Sequence, residues 1–293
     1  MRTHCYTVEA GDDGLLLGDY LRLRHQYSRR LIIQLKKGGI TVNGQHRRMV
    51  DPVAAGDVIQ IRLGETETIN LLPNPDLQVP IVYEDADIIA FDKPAGMAVH
   101  PCTKYYNDSV GNYFAALFEK EGLAFRPLYR LDRDTTGLCL SAKNTLAASL
   151  LMGKLEKEYL AIVEGQLPQD EGTVDAPLIR VPGSIITRQV DPDGQRAVTH
   201  YRVLQRTATH TLLSLRLETG RTHQIRVHMA WLGYPLAGDT LYGGQDTLIG
   251  RQALHCHRLW LPASPERSEL VLTAPIPHDM AALLPQEGKN HVF

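Results

Sequence analysis

The stretch Pro127-Leu128-Tyr129-Arg130-Leu131-Asp132-Arg133-Asp134-Thr135-Thr136-Gly137-Leu138-Cys139-Leu140 places two arginines and two aspartates inside an apolar run. Charges in such surroundings are costly unless each has a partner or a task. Leu138 and Leu140 alternate with Cys139, and Leu128 and Leu131 flank the charged part. The spacing predicts a strand, a charged turn closed by Thr136-Gly137, and a second strand. If the first strand runs far enough, Arg130, Asp132 and Asp134 share one face. A carboxylate at such a turn is anchored by the sheet and open to a ligand. The residue types alone fit two readings: a site, or a hairpin whose aspartates pair with Arg130 and Arg133 at the surface.

Outward from this stretch, the 293 residues and 43% apolar content allow a sizeable core in one large or two unequal domains. No run reaches the roughly 18 apolar residues of a membrane span, and the N-terminus has no secretory pattern. A cytoplasmic location is expected by default. Cys5, Cys102, Cys139 and Cys256 form no C-x-x-C pair, so neither a disulfide framework nor a zinc site is signalled. His255-Cys256-His257 is the densest group of metal-ligand types, but alternation in a strand turns Cys256 away from the histidines, and no metal is expected.

The net charge of -2 hides an asymmetry. Residues 1–64 hold ten Lys/Arg against six Asp/Glu. Within them Arg22, Arg24, Arg29, Arg30, Lys36, Lys37, Arg47 and Arg48 occur with no acid between the first and the last. Such clustering is the footprint of a polyanion binder. Asp19–Tyr27 reads as one helix and Ser28 as the N-cap of a second bearing Leu31, Ile32 and Leu35 on one face. Ile40–Gln45 then reads as a strand entering an Asn43-Gly44 turn, and Val58–Leu63 as a closing strand. Residues 65–80, acidic and proline-bearing, read as a linker. This organisation predicts a small basic α/β module at 1–64 and a larger domain at 81–293.

In the larger domain, Ile81–Asp85 and Ile88–Met97 read as a hairpin containing Lys93-Pro94-Ala95-Gly96, followed by Val99-His100-Pro101. Asn144 is placed to cap a helix, and Glu158–Gly165 reads as a strand containing Tyr159. Residues 166–200 are broken by Pro and Gly and show no period. Val198–Leu204 and Thr211–Glu218 read as strands. A helix is expected from just after Gly220 to Gly233, with Arg221 at its junction. Strands dominate and hairpin connections outnumber βαβ units, so the fold expected is α+β around a mainly antiparallel, mixed sheet.

These motifs, in this order, resemble those of the RluA-type pseudouridine synthases. Their active-site motif reads His-Arg-Leu-Asp followed two residues on by Thr-Ser-Gly-Leu; here Arg130-Leu131-Asp132 and Thr135-Thr136-Gly137-Leu138 fit it. Tyr129 stands where His is usual and Thr136 where Ser is usual. Lys93-Pro94-Ala95-Gly96, Lys157-Glu158-Tyr159, Thr219-Gly220-Arg221 through Met229, Gly238-Asp239, Tyr242-Gly243 and Leu254-His255 fit the other motifs. Ser28-Arg29 through Lys36, Ile40 to Gly44 and Gly56-Asp57-Val58 resemble the small RNA-binding module named after the fourth small-subunit ribosomal protein.

The resemblance implies isomerisation of uridine in RNA to pseudouridine by a monomer that needs no cofactor or metal. Asp132 would be the essential carboxylate, as nucleophile or base, with Arg221 paired to it and Tyr159 against the uracil. Arg130 would fill the gap left by the flipped base, and the eight cations of the module would hold the RNA. Large-subunit ribosomal RNA is the expected substrate, with transfer RNA as the alternative. Two rival readings are a glycosidase using Asp132 and Asp134 as a carboxylate pair, and a non-catalytic RNA- or ribosome-binding protein.

Overall fold

The computed structural model describes residues 3–62, 71–102, 106–263 and 267–285. The last residue of the expected closing strand, Leu63, and the first part of the expected linker, with Glu65 and Glu67, lie outside them. Two larger sheets form, each with its own core. The first contains β1 (Thr3–Thr7), α1 (Leu17–His25), α2 (Arg29–Leu35), β2 (Ile40–Val42), β3 (Gln45–His46) and β4 (Val58–Arg62), with strand order β1-β4-β2-β3. The Ser28 hydroxyl accepts from the Leu31 amide at 3.2 Å and starts α2. Asn43 (φ 52°) and Gly44 (φ 78°) make the two-residue turn between β2 and β3. Leu17, Leu21, Leu31 and Leu35 of the helices close over Ile40, Ile59 and Ile61.

The basic cluster is less free than its sequence suggests. Acids just outside the Arg22–Arg48 window pair with three of the eight cations: Arg22 with Asp19 at 2.8 Å, Arg24 with Asp12 at 2.5 Å and Arg48 with Asp51 at 3.0 Å. Folding brings the flanks of the window back onto it. Arg29, Arg30, Lys36, Lys37 and Arg47 stay exposed.

The second sheet has ten strands among the described residues. It uses β5 (Ile81–Glu84), β6 (Ile88–Lys93), β7 (Arg126–Pro127), β8 (Thr136–Ala142), β9 (Glu156–Glu164), β10 (Glu171–Asp175), β13 (Val198–Arg206), β14 (His210–Leu217), β15 (Leu254–Leu261) and β16 (Leu270–Thr273). Its helices are α3 (Val110–Leu117), α4 (Thr145–Leu151), α5 (Gln224–Trp231) and α6 (His278–Ala281). A separate hairpin, β11 (Leu178–Arg180) with β12 (Arg188–Val190), occupies the Pro/Gly-broken stretch that shows no period. The main order is β10-β13-β14-β9-β15-β8-β6-β5, with β16 on β15 and β7 on β8. Among the described strands of this sheet only β8 and β15 pair in parallel. The domain is thus α+β around a mainly antiparallel mixed sheet.

The two units touch. Leu146 of α4 is buried in the first core, the Ser28 and Ser149 hydroxyls lie 2.7 Å apart, and Lys154 donates to the Gln26 side chain at 2.6 Å. The described part of the linker, residues 71–80, is fastened to α3 by the Asn112 amide, which donates to the Leu72 carbonyl at 2.8 Å. No described helix is long and apolar enough to cross a membrane.

The central stretch departs from its expected form. No strand reaches Asp132: β7 ends at Pro127, residues 128–135 form a loop, and Thr136-Gly137 opens β8 instead of closing a turn. The sharing of a strand face by Arg130 and Asp132 therefore fails. Beyond Leu128, whose amide still donates to the Leu140 carbonyl of β8 at 2.9 Å, backbone groups of this loop find partners off the ladder. The Asp132 carbonyl accepts from the Thr135 amide at 3.1 Å, and the Arg133 carbonyl from the buried Lys93 ammonium at 2.7 Å. Gly137 has φ 102°, and a Cβ there would collide with the Cys256 carbonyl, so only glycine lets β15 approach β8 this closely.

His255 lies beside that close approach. It is 1% exposed, its Nε2 donates to the Ala274 carbonyl at 3.2 Å, and its Nδ1 accepts from the Thr136 hydroxyl at 2.9 Å. Burial pushes its pKa down to about 4. Above the unfolded value of about 6.5 the ring is neutral in both states and its contribution to stability is complete. As pH falls from about 6.5 to about 4 the unfolded chain takes a proton that the folded one refuses, removing roughly 3 kcal/mol at most. We expect urea unfolding measured between about pH 7 and pH 4.5 to show this loss, and His255→Gln to flatten the slope.

Candidate active site

A cleft of about 70 Å³ is lined by Asp132 and Thr135 of the loop before β8, Tyr159 of β9, Leu217 of β14, Leu254 of β15, and Arg221 and residues 223–226 at the start of α5. Arg130 stands exposed at its rim. Asp132, Tyr159, Arg221 and Arg130 are thus brought to one cavity. The eight cations of the N-terminal unit do not line it.

The partner of Asp132 is not the one expected. Arg226 Nη1 donates to Asp132 Oδ2 at 3.2 Å, whereas Arg221 Nε donates to the Arg196 carbonyl at 3.0 Å. The reason lies in the start of α5. The helix begins at Gln224, after a turn in which the Gln224 side chain accepts from the Arg221 amide at 3.0 Å and donates to the Val198 carbonyl at 2.9 Å. Arg221 stays in that turn, while Arg226 lies on the helix and is 6% exposed.

Arg226 is held from behind by Asp239, Nε to Oδ2 at 2.6 Å and Nη2 to Oδ1 at 2.8 Å, a bidentate pair. The guanidinium carbon lies 5.0 Å from the centre of the Tyr242 ring. Burial works against the Arg226 charge, but the Asp239 and Asp132 carboxylates more than offset it and raise its pKa. One of the Asp132 oxygens thus faces a cation that cannot turn away.

His223 faces the same oxygen, Nε2 to Oδ2 at 3.8 Å. It is the N-cap of α5 in the left-handed region (φ 59°) and makes no side-chain cap. A non-glycine residue there costs of order 1–3 kcal/mol, and here the conformation directs the imidazole into the cleft. Its Nδ1 is 2.8 Å from the Tyr242 hydroxyl, which accepts from the Arg188 amide at 3.0 Å. With the phenolic proton assigned to the bond with Nδ1, the neutral imidazole carries its own proton on Nε2, toward Asp132. Burial lowers the His223 pKa, opposed by Asp132, which keeps the ring neutral near pH 7.

Tyr159 is 6% exposed, and burial, with Cys256 and Asp132 adding to it, raises its pKa well above 10. It stays a phenol, able to donate a hydrogen bond and present a ring face. The loop is clamped beneath by Lys93, whose ammonium donates to the carbonyls of Pro94, Met97 and Arg133 at 2.7–2.8 Å. Burial lowers the Lys93 pKa to about 8. Tyr129 does not line the cleft; its hydroxyl donates to the Leu138 carbonyl at 2.8 Å. Asp134 turns to Arg133 at 2.9 Å on the surface. Among the described residues no second carboxylate lines the cleft beside Asp132, which removes the paired-carboxylate arrangement a glycosidase needs.

Sequence reasoning missed Arg226, His223, Asp239 and Tyr242. A signal was present for the first: Arg226 interrupts the apolar positions Ile225, Val227 and Met229, the same cost of buried charge that marks Asp132.

The family described as RNA pseudouridylate synthase matches residues 87–231. A Bacillus subtilis protein named "Uncharacterized RNA pseudouridine synthase YjbO" is 39% identical over 90% of this chain and 96% of its own. "Ribosomal large subunit pseudouridine synthase D" of Vibrio cholerae is 40% identical over 87% of this chain and 85% of its own. Among solved structures, "Human RNA Pseudouridylate Synthase Domain Containing 1" shares the fold with a TM-score of 0.59, at 24% identity, over 72% of this chain and 90% of that one.

Tyr242→Phe removes one hydroxyl and keeps the ring over Arg226. We expect a fall of about tenfold in kcat with KM for RNA unchanged, since the missing bond orients a group at the carboxylate. Single-turnover kinetics beside an RNA-binding titration checks the split.

Proposed function

Because the chain belongs to the RNA pseudouridylate synthase family and so isomerises uridine in RNA to pseudouridine, we propose that its target is a uridine of large-subunit ribosomal RNA and that Asp132 is the essential carboxylate. The observation that carries the residue assignment is the isolation of Asp132. Among the described residues it is the single carboxylate lining the cleft, fixed against Arg226 with its other oxygen open. The relatives named for the large ribosomal subunit support the substrate.

In the reaction the bond from ribose C1′ to uracil N1 breaks, the base turns, and a bond from C1′ to C5 forms. N1 gains a proton and C5 loses one, so atoms and electrons balance without an added reactant. Asp132 acts at the ribose, as nucleophile on C1′ or as base beside it. Its charge is opposed by Arg226 and by the Nε2–H of His223. Tyr159 lies against the base as a neutral phenol, with a proton to donate, because its hydroxyl is held protonated. The apolar walls Leu131, Leu217, Ile225 and Leu254 keep water from competing at C1′. The uridine reaches the cleft by flipping out of its stack, at a cost of a few kcal/mol, and Arg130 at the rim takes its place. The non-catalytic reading has no use for a carboxylate held in this way.

The N-terminal unit holds the flanking RNA in this reading, through the exposed Arg29, Arg30, Lys36, Lys37 and Arg47. The enzyme acts as a monomer in the cytoplasm.

Mapping pseudouridines in total RNA from cells lacking the gene tests substrate and residue together. One or more large-subunit sites should disappear, restored by the wild-type gene and not by Asp132→Asn. Loss confined to transfer RNA would redirect the substrate assignment; restoration by Asp132→Asn would end the residue assignment. Leu146 needs the N-terminal core, so the cations are tested by substitution, not truncation. Replacing Arg29, Arg30, Lys36 and Lys37 by Gln should weaken RNA affinity and flatten its dependence on salt by about 0.7–0.9 log units per log unit for each phosphate that the variant no longer neutralises.

A further inference from the structure

Beside the catalytic cleft lies a second, larger cavity of about 360 Å³, lined by the β11–β12 hairpin, by Asp193, Gly194 and Gln195, and by Gly220, Arg221 and Thr222. Arg221 lines both. Among the described residues three arginines, Arg180, Arg188 and Arg221, border this cavity against one carboxylate, Asp193.

Arg180 and Arg188 are direct cross-strand partners in the hairpin. Residues so paired have Cβ atoms about 5 Å apart on one face, and like charges there destabilise the strand pair. The strands are three residues long on each side, and the Val181 amide donating to the Thr187 carbonyl at 3.1 Å just beyond the pair holds the two arginines opposite each other. One guanidinium is fixed: Arg188 Nη1 donates to the carbonyls of Ile186 and Thr187 at 2.9 and 3.1 Å. Arg221 is fixed too, through the Arg196 carbonyl. At the cavity wall Gly220 has an ordinary φ, and a Cβ built there meets nothing within 4 Å. Fixed cations with spare donors around an open space favour an anion with several acceptor oxygens.

We propose that this cavity is a phosphate subsite that takes a backbone phosphodiester of the RNA next to the flipped uridine. This rests on the pseudouridine synthase reading. The shared Arg221 fixes the geometry: an anion in the second cavity lies one side chain away from the base in the first, the separation of neighbouring positions along one strand. The subsite explains why like charges face each other on a short hairpin, and why Arg221 lies in the turn before α5, away from the Asp132 carboxylate. Base identity plays no part in such an interaction, which sets register and orientation.

The test is steady-state kinetics of Arg180→Gln and of Arg180→Gln with Arg188→Gln on an RNA fragment that the wild type modifies. KM should rise about tenfold for the pair, with kcat within about twofold, and kcat/KM should depend less steeply on salt. Arg180→Lys should recover part of the loss. Gly220→Val, which fills the cavity without altering charge, should raise KM similarly. Because the substitutions relieve repulsion, the melting temperature of the free proteins should not fall. Wild-type KM and salt dependence in both arginine variants would overturn the proposal. So would inorganic phosphate binding that needs the arginines while RNA affinity does not. If the wild type forms no pseudouridine on any RNA, the function reading fails separately; RNA affinity of the same variants, measured directly, then decides the subsite.

Discussion

The burial of one guanidinium organises the site. Arg226 is 6% exposed on an apolar helix face, and an unpaired charge there would be far more costly than the fold can sustain. Asp239 satisfies two of its nitrogens, which fixes the fork and leaves Nη1 directed at Asp132. Removing Asp239 would leave a buried cation with only Asp132 for company, drawing that carboxylate toward the helix. The Gly238-Asp239 and Tyr242-Gly243 segment is thus a support for chemistry that it never touches. Tyr242 serves twice, its ring beside Arg226 and its hydroxyl on His223.

The class of fold is legible in the sequence because its signals are local. Ser28 and Asn144 cap the helices that their residue types predict, and the Asn43-Gly44 turn stands where its residues require it. Asp132 stands out because opposite charges in an apolar run have few explanations. Its surroundings are harder to read for the same reason that they function. The loop at 128–135 is held by a lysine from another strand, which takes the Arg133 carbonyl, and no period records a partner forty positions away. The pairing of Arg221 with Asp132 is implied by the resemblance alone; the later start of α5, where Gln224 satisfies the preceding turn with its side chain, is something propensity does not reveal. The hairpin at residues 178–190 is invisible to the sequence because three-residue strands are shorter than any period can register.

Charge counting along the chain also has a limit. The run from Arg22 to Arg48 contains no acid, yet Asp12, Asp19 and Asp51 reach three of its cations once α1 and the strand connections form. Surface pairs of this kind contribute little to stability, but they do lower the field available to a polyanion. The five exposed cations left over lie on α2, just after it, and in the loop after β3, so the attraction is narrower in position than the sequence implies.

A chain of contacts runs from the hairpin to Asp132. The Arg188 amide donates to Tyr242 Oη, Tyr242 fixes the tautomer of His223, and His223 faces Asp132. Side-chain substitutions at Arg180 and Arg188 leave that amide in place, so the relay to Asp132 does not depend on the charge of the hairpin. Arg188 thus faces the second cavity with its side chain and supports the group beside Asp132 with its backbone amide, two roles that substitution of the side chain separates.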